Sequence, residues 1–99
     1  MADPAPVSRA AFPRIAPLYR FQWEAAQNGY VLLFPEGMVQ LNGAAGEILR
    51  RCDGQRSAAD IIADLKKAFQ SEEIDADVVA FLQTATQDGW VMWRDSGQP

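Results

Sequence analysis

Histidine is absent from this 99-residue chain and cysteine occurs once, at Cys52. A nucleophile activated by an imidazole base therefore cannot be assembled within it, and a zinc site would have to be built almost wholly from carboxylates. No metal or other cofactor is expected. A single thiol forms no internal disulfide, which fits a reducing compartment. Cys52 stands beside Asp53 near a helix C-terminus, where both the carboxylate and the helix dipole disfavour a thiolate, so it reads as a small apolar residue. Positive charge is also short: 9 Lys and Arg stand against 13 Asp and Glu, a formal net charge of −4. The segment from Asp60 to Asp95 holds eight acids (Asp60, Asp64, Glu72, Glu73, Asp75, Asp77, Asp88, Asp95) and three bases (Lys66, Lys67, Arg94). That sign opposes binding to nucleic-acid phosphates. The apolar stretches fall well short of the ~20 residues that cross a bilayer. Met1–Pro6 lacks the basic-then-apolar pattern of a secretory signal, so a cytoplasmic location is expected.

What remains is an ordinary globular composition, 48% hydrophobic and 22% charged, sized for a single domain. Pro4, Pro6, Pro13 and Pro17 remove backbone donors and interrupt helical pattern, so residues 1 to 17 read as an extended or disordered arm outside the core. The organisation expected is a flexible Pro-rich arm over 1–12, one domain over 13–93 and a tail over 94–99. Leu18–Glu24 alternates, with Tyr19, Phe21 and Trp23 on one face and Arg20, Gln22 and Glu24 on the other, which predicts a half-buried strand. Asn28-Gly29 ends a turn where positive φ is tolerated. Tyr30–Phe34 is apolar on both faces and predicts a central strand covered on both sides. Pro35-Glu36-Gly37 then turns the chain into a third strand, Met38–Leu41.

Three helices follow in the pattern. The first is capped by Asn42, turns Ala45, Ile48, Leu49 and Cys52 inward, lets Glu47 pair with Arg50 or Arg51 on the wet side, and stops at Asp53-Gly54. The second opens at Ser57, with Asp60 completing a capping box, and aligns Ile61, Ile62, Leu65 and Phe69. The third, capped by Asp75 or Asp77, carries Val78, Phe81, Leu82 and Ala85 at helical spacing and ends at Gly89. Trp90–Trp93 is a short extended stub. Three antiparallel strands followed by three helices predict a small α+β domain of winged-helix-like architecture.

Several segments carry a family resemblance: Pro13–Pro17, Gln22-Trp23-Glu24, the unbroken run from Leu32 to Gly54, and Phe81-Leu82 followed by Gly89-Trp90. Together they resemble the PqqD family of peptide chaperones in pyrroloquinoline quinone (PQQ) biosynthesis. The resemblance implies a non-catalytic adaptor that binds the precursor peptide PqqA and presents it to the radical-SAM enzyme PqqE. The iron-sulfur clusters and S-adenosylmethionine belong to that partner. In the family the peptide adds as a strand beside the third strand and rests against the third helix. On this sequence that implies an edge at Gly37, Met38, Val39, Gln40, Leu41 and Asn42 and helix contacts among Val78, Val79, Leu82 and Ala85.

The residues themselves point to the same edge. The third strand has one evident neighbour, so its other side leaves N–H and C=O groups for an added strand. Met38 and Gln40 face one way and Val39 and Leu41 the other, and either pair is available to line a groove, with Val39 and Leu41 the more core-like. Deleting a backbone donor there, as in Val39→Pro, should weaken such pairing. Val78, Phe81, Leu82 and Ala85 also form a core stripe, which leaves Val79 and Gln83, off that stripe, as helix contacts. Arg50, Arg51 and Trp90 are candidates for meeting a protein partner; an exposed basic pair is otherwise simply solvated, and Trp90 and Trp93 otherwise cover a helix end. A different reading is a self-associating structural module, in which the bare edge or the Pro-rich N-terminal arm pairs with a second copy in a homodimer.

Overall fold

The computed structural model describes residues 8–94 and contains eight elements. In chain order these are β1 (Phe12–Ile15), β2 (Arg20–Glu24), β3 (Gly29–Phe34), β4 (Gly37–Gln40), α1 (Gly43–Arg50), α2 (Ala58–Phe69), α3 (Asp75–Gln87) and β5 (Val91–Arg94). The α+β class with three consecutive antiparallel strands and three helices is as expected. The three strands form one sheet in the order β2-β3-β4, so β3 is central. Its Val31 and Leu32, on opposite faces, are both fully buried. Asn28 adopts a φ of 51° in the turn before β3, the left-handed conformation its short polar side chain tolerates.

Helices α1 and α2 begin at the caps read from sequence. The Asn42 side chain accepts from the Ala45 N–H at 2.7 Å, and Ser57 and Asp60 form a reciprocal capping box. Ala45, Ile48, Leu49 and Cys52 are all buried, as are Ile61, Ile62 and Leu65. All of these but Ala45 join Leu32, Ala58, Val78, Leu82, Ala85 and Val91 in one core. Phe69 departs from its predicted stripe: it is the last residue of α2 and remains 45% exposed. The cap of α3 also differs. Ile74 occupies the N-cap with no side-chain hydrogen bond, and Asp75 is the first helical residue, where its carboxylate pairs with Lys66 at 3.0 Å and Arg9 at 3.3 Å.

The ends of the described chain correct the arm and the stub. β1 and β5 pair antiparallel, from Phe12 opposite Arg94 to Ile15 opposite Val91, as a separate two-stranded sheet. Pro13 is fully buried, and its carbonyl accepts from the Gly54 N–H at 2.9 Å. Just before β1, the carbonyls of Arg9 and Ala11 accept from the Ala59 and Ala58 N–H groups, both at 2.9 Å, satisfying first-turn donors of α2. The segment read as an arm is thus structural from Arg9 onward. The remainder of the expected arm and tail, residues 1–7 and 95–99, lies outside the described residues.

Candidate functional site

β4 sits at one border of the three-stranded sheet, paired among the described residues with β3 alone. The Leu41 N–H donates to the Tyr30 carbonyl at 3.1 Å, and the β3–β4 register sets Val39 opposite Leu32 and Gly37 opposite Phe34. Bonded and non-bonded pairs alternate along an antiparallel ladder. Leu41, Val39 and Gly37 therefore direct their N–H and C=O groups into the sheet, and Met38 and Gln40 direct theirs outward. This corrects the use of Val39→Pro: the donor it deletes serves the ladder with β3, not the free edge. Side chains follow the other alternation. Val39 and Leu41 are partly buried against the core, and Met38 and Gln40 are exposed.

The border strand β2 is a second edge, which the sequence reading missed because it assigned β2 a partner without asking how many. Continuing the alternation through β3, Phe21 and Trp23 present their outward backbone groups there. The two edges differ in protection. β2 begins with Arg20 and ends with Glu24, whereas Gly37–Asn42 contains neither a charge nor a proline. Natural sheet edges are commonly guarded by charges, proline or bulges. The β4 edge has none of the first two.

The helix residues named from sequence divide. Leu82 and Ala85 are fully buried and Val78 nearly so, so these three are core rather than open surface. Val79 is partly buried beside them, as is Gln83. One meeting does occur: Asn42, just past β4, and Val78 line the same cavity of about 220 Å³. Its other walls include Ala44, Ile48, Phe69, Ile74 and Phe81, none of which was named from sequence as a contact. The signal was present in Phe69, an aromatic at the end of a helix stripe with no further turn beneath it.

The basic pair separates as well. Arg50 is exposed and reaches Glu47 at 3.3 Å. Arg51, expected on the wet side, is instead buried at 5% exposure. Its guanidinium donates to the Glu47 carboxylate and to the Glu47 carbonyl, each at 2.8 Å, and to the Asp64 carboxylate, which ties α1 to α2. Those hydrogen bonds hold the Glu47 and Asp64 carboxyls below their ordinary range. Trp90 is partly buried against the core, and the Trp93 indole N–H donates to Thr86 Oγ1 at 2.8 Å, pinning β5 to α3. The Cys52 thiol is buried, with its pKa pushed up to about 12 by desolvation and by Asp53. No helix among the described residues is long and apolar enough to cross a membrane.

The result is a small α+β domain whose β4 border carries no charge and no proline. Its likeness to known proteins gives its family. The family model described as coenzyme PQQ synthesis protein D (PqqD) matches residues 29–91. A PqqA binding protein of Azotobacter vinelandii is 49% identical over 80 residues, covering 80% of this chain and 87% of the relative. One from Klebsiella pneumoniae strain 342 is 50% identical over 78 residues, covering 78% and 85%. Among solved structures, the PqqD truncation of Methylobacterium extorquens PqqCD, determined in solution by NMR, superposes with a TM-score of 0.71 at 25% identity, covering 87% of this chain and 94% of that one. That protein is described as a functional, stand-alone recognition element for ribosomally synthesised and post-translationally modified peptides. The chain belongs to the PqqD family. Its relatives are named for what they bind rather than for a reaction, and the chain is not an enzyme.

Proposed function

We propose that this protein is the peptide chaperone of PQQ biosynthesis: it captures PqqA as an added strand on β4 and presents it to the radical-SAM enzyme PqqE in the cytoplasm. The observation that carries this reading is the unguarded β4 edge, where the N–H and C=O of Met38 and of Gln40 point away from β3. An extended peptide satisfies those four groups in register. Each such bond contributes about 0.5–1.5 kcal/mol net, or roughly 2–6 kcal/mol for four. Micromolar affinity corresponds to about 8 kcal/mol, so burial of peptide side chains against the protein supplies the rest. Arg50, exposed at the C-terminal end of α1, and Trp90 are the remaining candidates for the enzyme-facing surface.

Titration of the isotope-labelled chain with synthetic PqqA tests the reading. The Met38 and Gln40 amides should shift and exchange more slowly with solvent, whereas the Val39 and Leu41 amides, already bonded, should gain little protection. Shifts confined to β2 or α2 would place the peptide elsewhere. Presentation is tested by adding PqqE to the preformed pair: a ternary complex supports it, and displacement of the peptide argues against it. Self-association is the competing use, favoured by the presence of two bare borders. Mass measured across concentrations separates the two, since a dimer through β4 would form at the expense of peptide affinity.

A further inference from the structure

We infer that the cavity enclosed by the start of α1, the end of α2 and the start of α3 is a specificity pocket for one apolar side chain of the bound peptide, with a cationic peptide residue beside it. The inference rests on strand addition at β4 and adds to it the means of choosing a sequence. At about 220 Å³, walled by Ala44, Ile48, Phe69, Ile74, Val78 and Phe81, the cavity is apolar and larger than the ~150 Å³ that suffices to hold benzene in an apolar core. It accommodates a phenyl or branched aliphatic group. Phe69 is exposed at 45%, a large apolar area that a docked side chain would cover.

Position and charge select the occupant. Asn42 lies two residues beyond Gln40 and lines the cavity, and strands advance about 3.3 Å per residue. A peptide paired along β4 therefore reaches the cavity about two residues beyond the one bonded to Gln40. Two polar residues line the cavity, Asn42 and Asp77. The Asn42 side-chain oxygen is engaged by the Ala45 N–H. Asp77 is exposed and forms no ion pair among the described residues. Among the described residues no cation lines the cavity, and Asp77 is its one charged lining group. A Lys or Arg next to the apolar anchor complements that carboxylate.

The test pairs an alanine scan of the apolar positions of synthetic PqqA with three forms of the full chain: wild type, Ala44→Trp and Asp77→Asn. Ala44 is exposed at the start of α1, so a tryptophan there fills the cavity without entering the core. In the wild type, one alanine replacement should weaken binding roughly tenfold to a hundredfold, and the methyl groups of Ile48, Ile74 and Val78 should shift on binding. In Ala44→Trp that replacement should cost little more, while the Met38 and Gln40 amides still respond to peptide. Asp77→Asn should weaken binding severalfold at low salt and reduce its salt dependence. Undisturbed cavity methyls, or Ala44→Trp binding like the wild type, would overturn the pocket while leaving strand addition intact. Silent Met38 and Gln40 amides with shifted cavity methyls would instead overturn strand addition.

Discussion

Two proline substitutions one residue apart should have opposite effects on this protein. In Met38→Pro, the deleted N–H faces away from β3, so the free protein loses no ladder bond. Proline is tolerated at such positions on edge strands, and Met38 is already 41% exposed. The expected loss of folding stability is under about 1 kcal/mol. The bound state suffers more, because one donor disappears and the pyrrolidine ring projects where the added strand must approach. Losing one or two bonds at about 0.5–1.5 kcal/mol each predicts a loss of roughly 0.5–3 kcal/mol, or about 2- to 150-fold in affinity. Val39→Pro removes the donor opposite Leu32, clashes within the ladder and redirects a side chain packed on the core. About 3 kcal/mol or more is expected there, a large fraction of the ~5–15 kcal/mol that holds a small domain together. Urea unfolding followed by peptide titration of each variant separates the two. Equal destabilisation by both prolines, or undiminished binding by a folded Met38→Pro, would show that the alternation along β4 has been assigned the wrong way round.

Two further outcomes concern the fold that holds the edge. Arg51 depresses the Glu47 and Asp64 carboxyls below their ordinary values of 4.5 and 3.8, so their stabilising contribution is complete above that range and is lost as pH falls through the depressed values. The urea midpoint should decline from about pH 5 downward; Arg51→Met should lower stability by about 1–3 kcal/mol at pH 7 and flatten that acid slope, and an unchanged slope would count against the network. At Gly46, an added Cβ would lie 2.8 Å from Tyr30 Cδ2 and 3.2 Å from Tyr30 Cβ, and Tyr30 is held against Phe21 and Trp23 at ring-centroid distances of 4.7 and 5.1 Å. Overpacking of about 1–3 kcal/mol outweighs the ~1 kcal/mol gain in helix propensity, so Gly46→Ala should lower the melting temperature; Gly43→Ala, with open space around its Cβ, should not.

The helices and the central hairpins were legible because their signals are local. Asn42 and Ser57 sit immediately before apolar spacing of helical period, and the two-sided apolar run of β3 admits little besides a central strand. β1 and β5 were illegible for the opposite reason. Pro13 reads as a breaker, yet its missing N–H is harmless in a two-stranded pair whose partner, Trp93, lies 80 positions away in the chain. Arg51 turned inward because one of its acceptors, Asp64, comes from the next helix, and no spacing within α1 reveals that partner. Asp75 resembles a cap by residue type, but Lys66 and Arg9 compete for its carboxylate in the folded protein. At the candidate site, the β4 edge could be read from strand count, and the inward positions of Leu82 and Ala85 from their stripe. The cavity could not, since three helix ends converge to form it.

An unguarded edge carries a hazard as well as a use, because any bare strand, including another copy of β4, can pair with it. Local sequence offers no protection: Gly37–Asn42 is uncharged, and a lysine or proline placed there to repel a second copy would equally obstruct a peptide. The safeguard has to discriminate between a like chain and an unlike one, which charge outside the strand can do. Two copies, each at a formal −4, repel as they approach, and the acids around the loop before α3 bring like charge toward like charge. A peptide with a cationic residue next to its anchor meets the same field with the opposite sign. If β4 takes up peptide as proposed, the excess of carboxylates would bias the edge toward foreign strands and away from its own.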